Sequence, residues 1–160
     1  MRLSVIDLMM VRSGQSTADA VRAAHELALL ADRLGYTRYW VAEHHNMPAV
    51  ASTVPAVLIA HLAAGTERIR FGSGGVMLPN HTALAVAEQF ALLEAMLPGR
   101  VDLGIGRAPG SDAVTSHLVR GGRRDGAEDF DRDVVLIEHL LGLHGPGPTM
   151  VNLGGHQVEV

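Results

Sequence analysis

Tyr39-Trp40-Val41-Ala42-Glu43-His44-His45-Asn46 is an apolar run of strand length that ends abruptly in a carboxylate and two imidazoles. Parallel α/β folds build their sites from this kind of unit, a buried strand delivering polar groups at its carboxyl end. The residues beyond it agree. Ser52 or Thr53 is suited to cap a helix, Pro55 falls in its first turn, and the apolar segment continues towards Gly65.

Working outward, the same grammar recurs. Leu3 to Leu8 reads as a short strand, followed by the polar connection Arg12-Ser13-Gly14-Gln15. A helix then opens at Ser16 or Thr17, with Asp19 in its first turn. Ala20, Ala24, Leu27, Ala31 and Leu34 recur at helical spacing until Gly35 ends it. Downstream, Ile69 to Phe71 forms a third strand, a glycine-rich bend follows, and a helix runs from about Thr82 to Leu97 before Pro98-Gly99. Val101 to Ile105 opens a fourth unit, with a short helix near Asp112 to Val119 and an amphipathic helix from Glu128 to Leu141.

Alternating strands and helices imply parallel strands joined by right-handed crossovers. Units of roughly 35 residues have the spacing of a (β/α)8 barrel, which needs eight units and about 250 residues. The predicted fold is therefore α/β, the N-terminal half of a TIM-type barrel, as one partial domain over residues 1–160. Gly145-Pro146-Gly147-Pro148 breaks the pattern, and Thr149 to Val160 reads as a hairpin-like segment in place of a fifth buried strand. The alternative is a complete four-stranded open sheet ending in that hairpin. A doubly wound nucleotide fold fits less well, because Gly104-x-Gly106 is followed by Arg107-Ala108-Pro109-Gly110 and misses the GxGxxG spacing.

Composition narrows the function. With 48% hydrophobic and 19% charged residues, the chain has the material for a globular core. Its net charge of -4 and lack of a basic stripe argue against nucleic acid. Arg120, Arg123 and Arg124 form the one basic cluster, read as a solvated loop or an anion contact. Without cysteine there is no disulfide, thiolate metal site or Cys nucleophile, and a cytoplasmic location is expected. No signal peptide or membrane span is expected either.

In a parallel barrel the site lies beyond the strand ends. The segments there are Glu43-His44-His45-Asn46, Ser73 to His81, and Gly106 to Asp112. An imidazole accepts or donates a proton near neutral pH, and a neighbouring carboxylate orients it, so His44 or His45 is the candidate base. Adjacent residues point to opposite sides, so one of the two should face the pocket while the other packs. Gly74-Gly75 lets the backbone approach a flat ligand closely, or else simply makes a tight bend. Glu88 either reaches the pocket or stabilises the start of its helix. Arg107 offers a fork for phosphate or carboxylate, or else makes a surface salt bridge. A metal-dependent hydrolase using His44 or His45 with Glu43, His81 or Asp7 is a competing class, but adjacent histidines rarely converge on one ion, and no metal is expected.

Three segments carry a family resemblance: Gly35-Tyr36-x-Arg38-Tyr39-Trp40-x-Ala42-Glu43-His44-His45-Asn46, Glu67-Arg68-Ile69-Arg70-x-Gly72-Ser73-Gly74-Gly75, and Pro98-Gly99-Arg100-Val101-Asp102-x-Gly104-x-Gly106-Arg107. In order and spacing they resemble the bacterial luciferase-like flavin monooxygenases. The resemblance implies a barrel whose strand ends hold reduced FMN, with O2 used to oxidise a small organic substrate. It also implies a flavin reductase that supplies the reduced cofactor, and a homo-oligomer is expected. Some relatives use the deazaflavin F420 instead.

By position, the resemblance makes His44 the catalytic base and gives Glu43, Glu88, Gly74, Gly75 and Arg107 to cofactor binding. The glycine pair matches a segment that often carries a non-prolyl cis peptide, and Arg107 matches a flavin phosphate contact. Gly106 departs from the luciferases proper, which have a cysteine there, so light emission is not implied. The family's later strands supply further phosphate ligands and much of the substrate pocket, so the resemblance puts part of a site on these residues. A non-catalytic half-barrel that pairs with another chain is the remaining alternative.

Overall fold

The computed structural model describes residues 1–108, 111–121 and 128–143. Strands β1 (Ser4–Asp7), β2 (Arg38–Val41), β3 (Arg70–Met77) and β4 (Val101–Gly106) alternate with helices α1 (Thr17–Arg33), α2 (Pro55–Leu62), α3 (Ala83–Met96), α4 (Ala113–Val119) and α5 (Phe130–Leu140). A 3-10 turn, Leu78–Asn80, follows β3. All strand pairs are parallel and the order is β1-β2-β3-β4. Each strand lies beside its predecessor without a reversal of direction across the sheet. Right-handed crossovers in that order put the helices on one face, as in a barrel wall, and leave no switch point of the doubly wound kind. The fold is half a TIM-type barrel, as the unit count predicts. The hairpin expected over 149–160 lies outside the described residues.

Strand alternation separates two faces. Tyr39 and Val41, Phe71, and Val101 and Leu103 are buried with Ala24, Ala28 and Ala31 of α1, Ile59 and Leu62 of α2, Val86 and Phe90 of α3, and Ile137 of α5. The small α1 residues let that helix lie close to the sheet. The opposite, inner face carries Ile6, Trp40, Gly72, Gly74 and Gly104. A Cβ on Gly72 would lie 2.4 Å from the Trp40 ring, so the indole lies against side-chain-free backbone. At the amino ends of the strands, Asp102 accepts from Arg38 Nε at 2.9 Å and from Arg70 Nη2 at 2.6 Å. Burial pushes the Asp102 carboxyl up, but the two guanidiniums outweigh it and hold it low.

Local details correct three expectations. The third strand does not end at Phe71; it continues through Gly72-Ser73-Gly74-Gly75 to Met77, with a register irregularity between Ser73 and Val76. Gly72 thus pairs in the ladder, while Gly74 and Gly75 lie within the strand at its register irregularity rather than in a bend beyond it. Helix α2 is not capped by Ser52 or Thr53; its N-cap is Val54, without a side-chain bond, while Ser52 is fully buried elsewhere. Arg120 is not a solvated loop residue. It is buried and donates from Nε to Asn80 Oδ1 at 3.3 Å; Arg123 and Arg124 lie outside the described residues.

Other caps follow the sequence. Ser16 and Asp19 make a reciprocal capping box on α1, and Thr82 Oγ1 accepts from Ala85 N–H at 3.3 Å to open α3. Thr82→Ala is expected to lower stability by about 1 kcal/mol in urea unfolding. Asp32 does comparable work ahead of β3, where its carboxylate accepts from the backbone N–H groups of Glu67, Arg68 and Ile69. No helix among the described residues is long and apolar enough to cross a membrane.

Candidate active site at the carboxyl ends of the strands

The chain leaving β2 is held from two sides. Ser52 Oγ donates to the Ala42 carbonyl, and the Ser52 carbonyl accepts from His44 N–H at 2.9 Å. Between these contacts the Glu43 side chain turns into the protein and is fully buried. Its Oε1 accepts from His45 Nε2 and from His81 Nε2, both at 2.8 Å, and its Oε2 accepts from Met77 N–H at 3.0 Å. Glu43 thereby joins the end of β2 to the end of β3 and the turn beyond it.

Burial pushes the Glu43 carboxyl up, but the hydrogen bonds from His81 and His45, the charge of His81 and the Met77 amide outweigh it, so it titrates below the usual carboxylate range. A depressed folded-state pKa stabilises the fold above the unfolded value, about 4.3, and that stability is lost as pH falls through the folded value. Urea unfolding between pH 7 and 3 should show this loss for the native chain. The slope should be shallower for Glu43→Gln, with Asp32 and Asp102 common to both.

The two adjacent histidines have different fates. His45 is spent on Glu43, whereas His44 is partly buried and its Nδ1 is buried with no hydrogen-bond partner. A buried polar atom without a partner costs about 1–3 kcal/mol. His44 is therefore the member of the pair left available to a ligand or a proton.

Further contacts tie the loops together. Asn46, in a left-handed conformation with φ 55°, donates from Nδ2 to Thr115 Oγ1 at 2.9 Å, joining the β2 loop to α4. Asp112 caps α4 through the N–H groups of Val114 and Thr115, both at 3.0 Å. With Arg120 on Asn80, the segments after β2, β3 and β4 form one rim.

The Gly74–Gly75 peptide is cis. A Cβ on Gly75 would lie 2.9 Å from the Gly104 carbonyl oxygen, and one on Gly74 would lie 3.2 Å from Trp40 Cβ. Close packing against β4 and Trp40 therefore requires side-chain-free backbone here. Arg107 follows directly on β4 and is exposed. It pairs with Asp131 at 2.5 Å, and its guanidinium carbon lies 4.7 Å from the Phe130 ring centroid. The structure does not bring Glu88 into this group, because it lies on the exposed side of α3, away from buried Val86, Ala87 and Phe90.

His81 and Ser52 help to build the candidate site, and local sequence patterns underweight both. His81 meets Glu43 across 38 residues of chain, which no local pattern reveals. Ser52 reads locally as a helix cap, and its bonds to Ala42 and His44 close only when the loop after β2 folds back.

The family model for luciferase-like monooxygenases matches residues 1–135. The chain belongs to this family. The luciferase-like monooxygenase of Escherichia coli strain K12 is 44% identical over 157 residues, covering 98% of this chain and 47% of its own. The N-acetyl-S-alkylcysteine monooxygenase of Bacillus subtilis strain 168 is 41% identical over 140 residues, covering 88% of this chain and 42% of its own. The chain thus spans less than half the length of these relatives.

Among solved structures, apo-MsnO8 matches with a TM-score of 0.88 at 40% identity, over 94% of this chain and 46% of its own. Two more distant structures share the fold. The oxygenating constituent of 3,6-diketocamphane monooxygenase of Pseudomonas putida, in complex with FMN, has a TM-score of 0.76 at 24% identity, over 89% of this chain and 39% of its own. An F420-dependent secondary alcohol dehydrogenase has a TM-score of 0.65 at 19% identity, over 88% of this chain and 42% of its own.

Proposed function

We propose that these residues form the first half of the active site of a flavin-dependent monooxygenase that uses reduced FMN and O2 to oxidise a small organic substrate. The observation that carries the reading is the buried, unpaired Nδ1 of His44 at the carboxyl end of β2, beside the side-chain-free backbone of β3. These features fit the group. An orphaned imidazole nitrogen suits the polar edge of an isoalloxazine, Gly74-Gly75 offers it flat backbone, and Arg107 is an exposed cation on the same rim, suited to its phosphate.

Bound reduced FMN would supply the electrons that activate O2. His44 would accept or return a proton at Nδ1 during substrate oxidation, as the base. Glu43 would act on the cofactor indirectly, by fixing His45 and the ends of β2 and β3, because its own carboxylate is already saturated. Glu88 would need contacts beyond the described residues to take part. The substrate is small and organic, and a separate flavin reductase would deliver reduced FMN, as two-component monooxygenases require.

Anaerobic titration of the chain with reduced FMN, read by flavin fluorescence, tests the cofactor. Saturable binding that weakens at least tenfold in Arg107→Ala is expected; saturable binding of reduced F420 with none of reduced FMN would replace FMN by F420.

Self-association is a second reading, favoured by one observation. Ile6, on the inner face of edge strand β1, is 61% exposed, and Leu34 at the end of α1 is 66% exposed. A homo-oligomer would cover such edges. Light scattering should then report a mass above one chain; a monomer at micromolar concentration would exclude it.

A further inference from the structure

The three side chains around Glu43 have the composition and placement of a metal-ligand set. We propose that Glu43, His45 and His81 form a binding site for one divalent transition-metal ion of the zinc class. Glu43 Oε1, His45 Nε2 and His81 Nε2 all lie within 4.8 Å of one another. Both nitrogens approach the same carboxylate oxygen at 2.8 Å, so the space among them holds two shared protons. Zinc takes imidazole and carboxylate ligands at about 2.0–2.2 Å, which sets neighbouring ligand atoms of a tetrahedron about 3.3 Å apart. Each N···O separation needs to open by only about half an ångström.

The surroundings favour this exchange. Glu43 Oε2 is fixed by Met77 N–H, the kind of backbone donor that orients a ligating carboxylate. Neither His45 nor His81 makes another side-chain hydrogen bond among the described residues, so each ring can move its proton to Nδ1 and present the Nε2 lone pair. Their side chains are 16% and 25% exposed, which gives an ion a path inward and leaves a fourth position for water. One carboxylate and two neutral imidazoles leave a dication with a net charge of about +1, and mixed N and O donors suit zinc, cobalt or nickel better than magnesium or calcium. The adjacent pair His44-His45 is not the set: the partner of His45 comes from beyond β3. The ion would bind the ends of β2 and β3 together where Glu43 now does so through protons.

The site does not depend on the flavin reading, and its test uses no flavin. The 160-residue chain is titrated with Zn2+ by calorimetry and with Co2+ by visible absorption at pH 7.5. One equivalent should bind with a micromolar or tighter Kd, and Co2+ should develop the intense visible bands of a four-coordinate site. His81→Ala and Glu43→Gln should each weaken binding at least tenfold. The His25→Ala/His61→Ala double variant removes the other close imidazole pair, whose rings lie 5.1 Å apart, and should leave binding unchanged. Circular dichroism melts establish that each variant is folded; if Glu43→Gln is not, partly exposed His81 decides. Absence of one-equivalent binding up to 1 mM Zn2+ overturns the proposal. So does binding that survives His81→Ala, or that is lost with His25 and His61.

Discussion

Gly104→Ala is expected to destabilise the protein by more than about 3 kcal/mol, the upper range for overpacking a core. The added Cβ would fall 2.2 Å from the Ser73 carbonyl oxygen, in the neighbouring strand. That backbone cannot retreat freely, because Ser73 Oγ donates to the Gly104 carbonyl at 2.8 Å and accepts from Gly104 N–H at 3.1 Å. Gly106→Ala in the same strand is the control. Its Cβ would meet the Met77 sulfur at 3.0 Å, and a flexible thioether can move aside. Denaturant unfolding should show a loss below about 1 kcal/mol at Gly106, inside the range that a small repacking costs. Equal losses at the two positions would contradict the close β3–β4 approach.

The second large effect is functional. In the proposed monooxygenase reaction, His44→Ala should lower kcat by about 10²–10⁴, the usual contribution of a positioned acid or base. Its stability should not fall, because the lost ring carried an unsatisfied buried nitrogen. His45→Ala should behave differently: it removes one of three donors to a buried carboxylate, so the unfolding midpoint should drop. Turnover with reduced FMN and an unfolding curve for each variant separate the two. A kcat for His44→Ala within threefold of the native value would remove His44 as the base.

Sequence legibility followed the range of the forces involved. Strand-helix alternation was readable because helix caps and apolar spacing are local: Ser16, Thr82 and Asp112 sit at the helix starts the pattern predicts. The path of β3 was not, since glycine has poor strand propensity on its own. What holds Gly72 and Gly75 within β3 is their close fit to the Trp40 ring and the β4 backbone, contacts made only in the folded sheet. The candidate site divides along the same line. A polar cluster at strand ends was visible, and alternation predicted that one of His44 and His45 would face inward. Which of the two keeps an unpaired nitrogen depends on the buried Glu43 carboxylate, which takes His45 Nε2 and, from across the fold, His81 Nε2. The same holds for Glu88, where helix position could not say which side faces outward.

The central claim is that the ends of β2 and β3, with His44 unpaired between them, face a flavin. Anaerobic titration of the 15N-labelled chain with reduced FMN, followed through its imidazole resonances, tests it most directly. The account predicts a saturable shift at His44, a smaller one at His45 and His81, and none at His25 or His61 on the outer helices. No change at His44 with millimolar reduced FMN, or changes confined to His25 and His61, would contradict it.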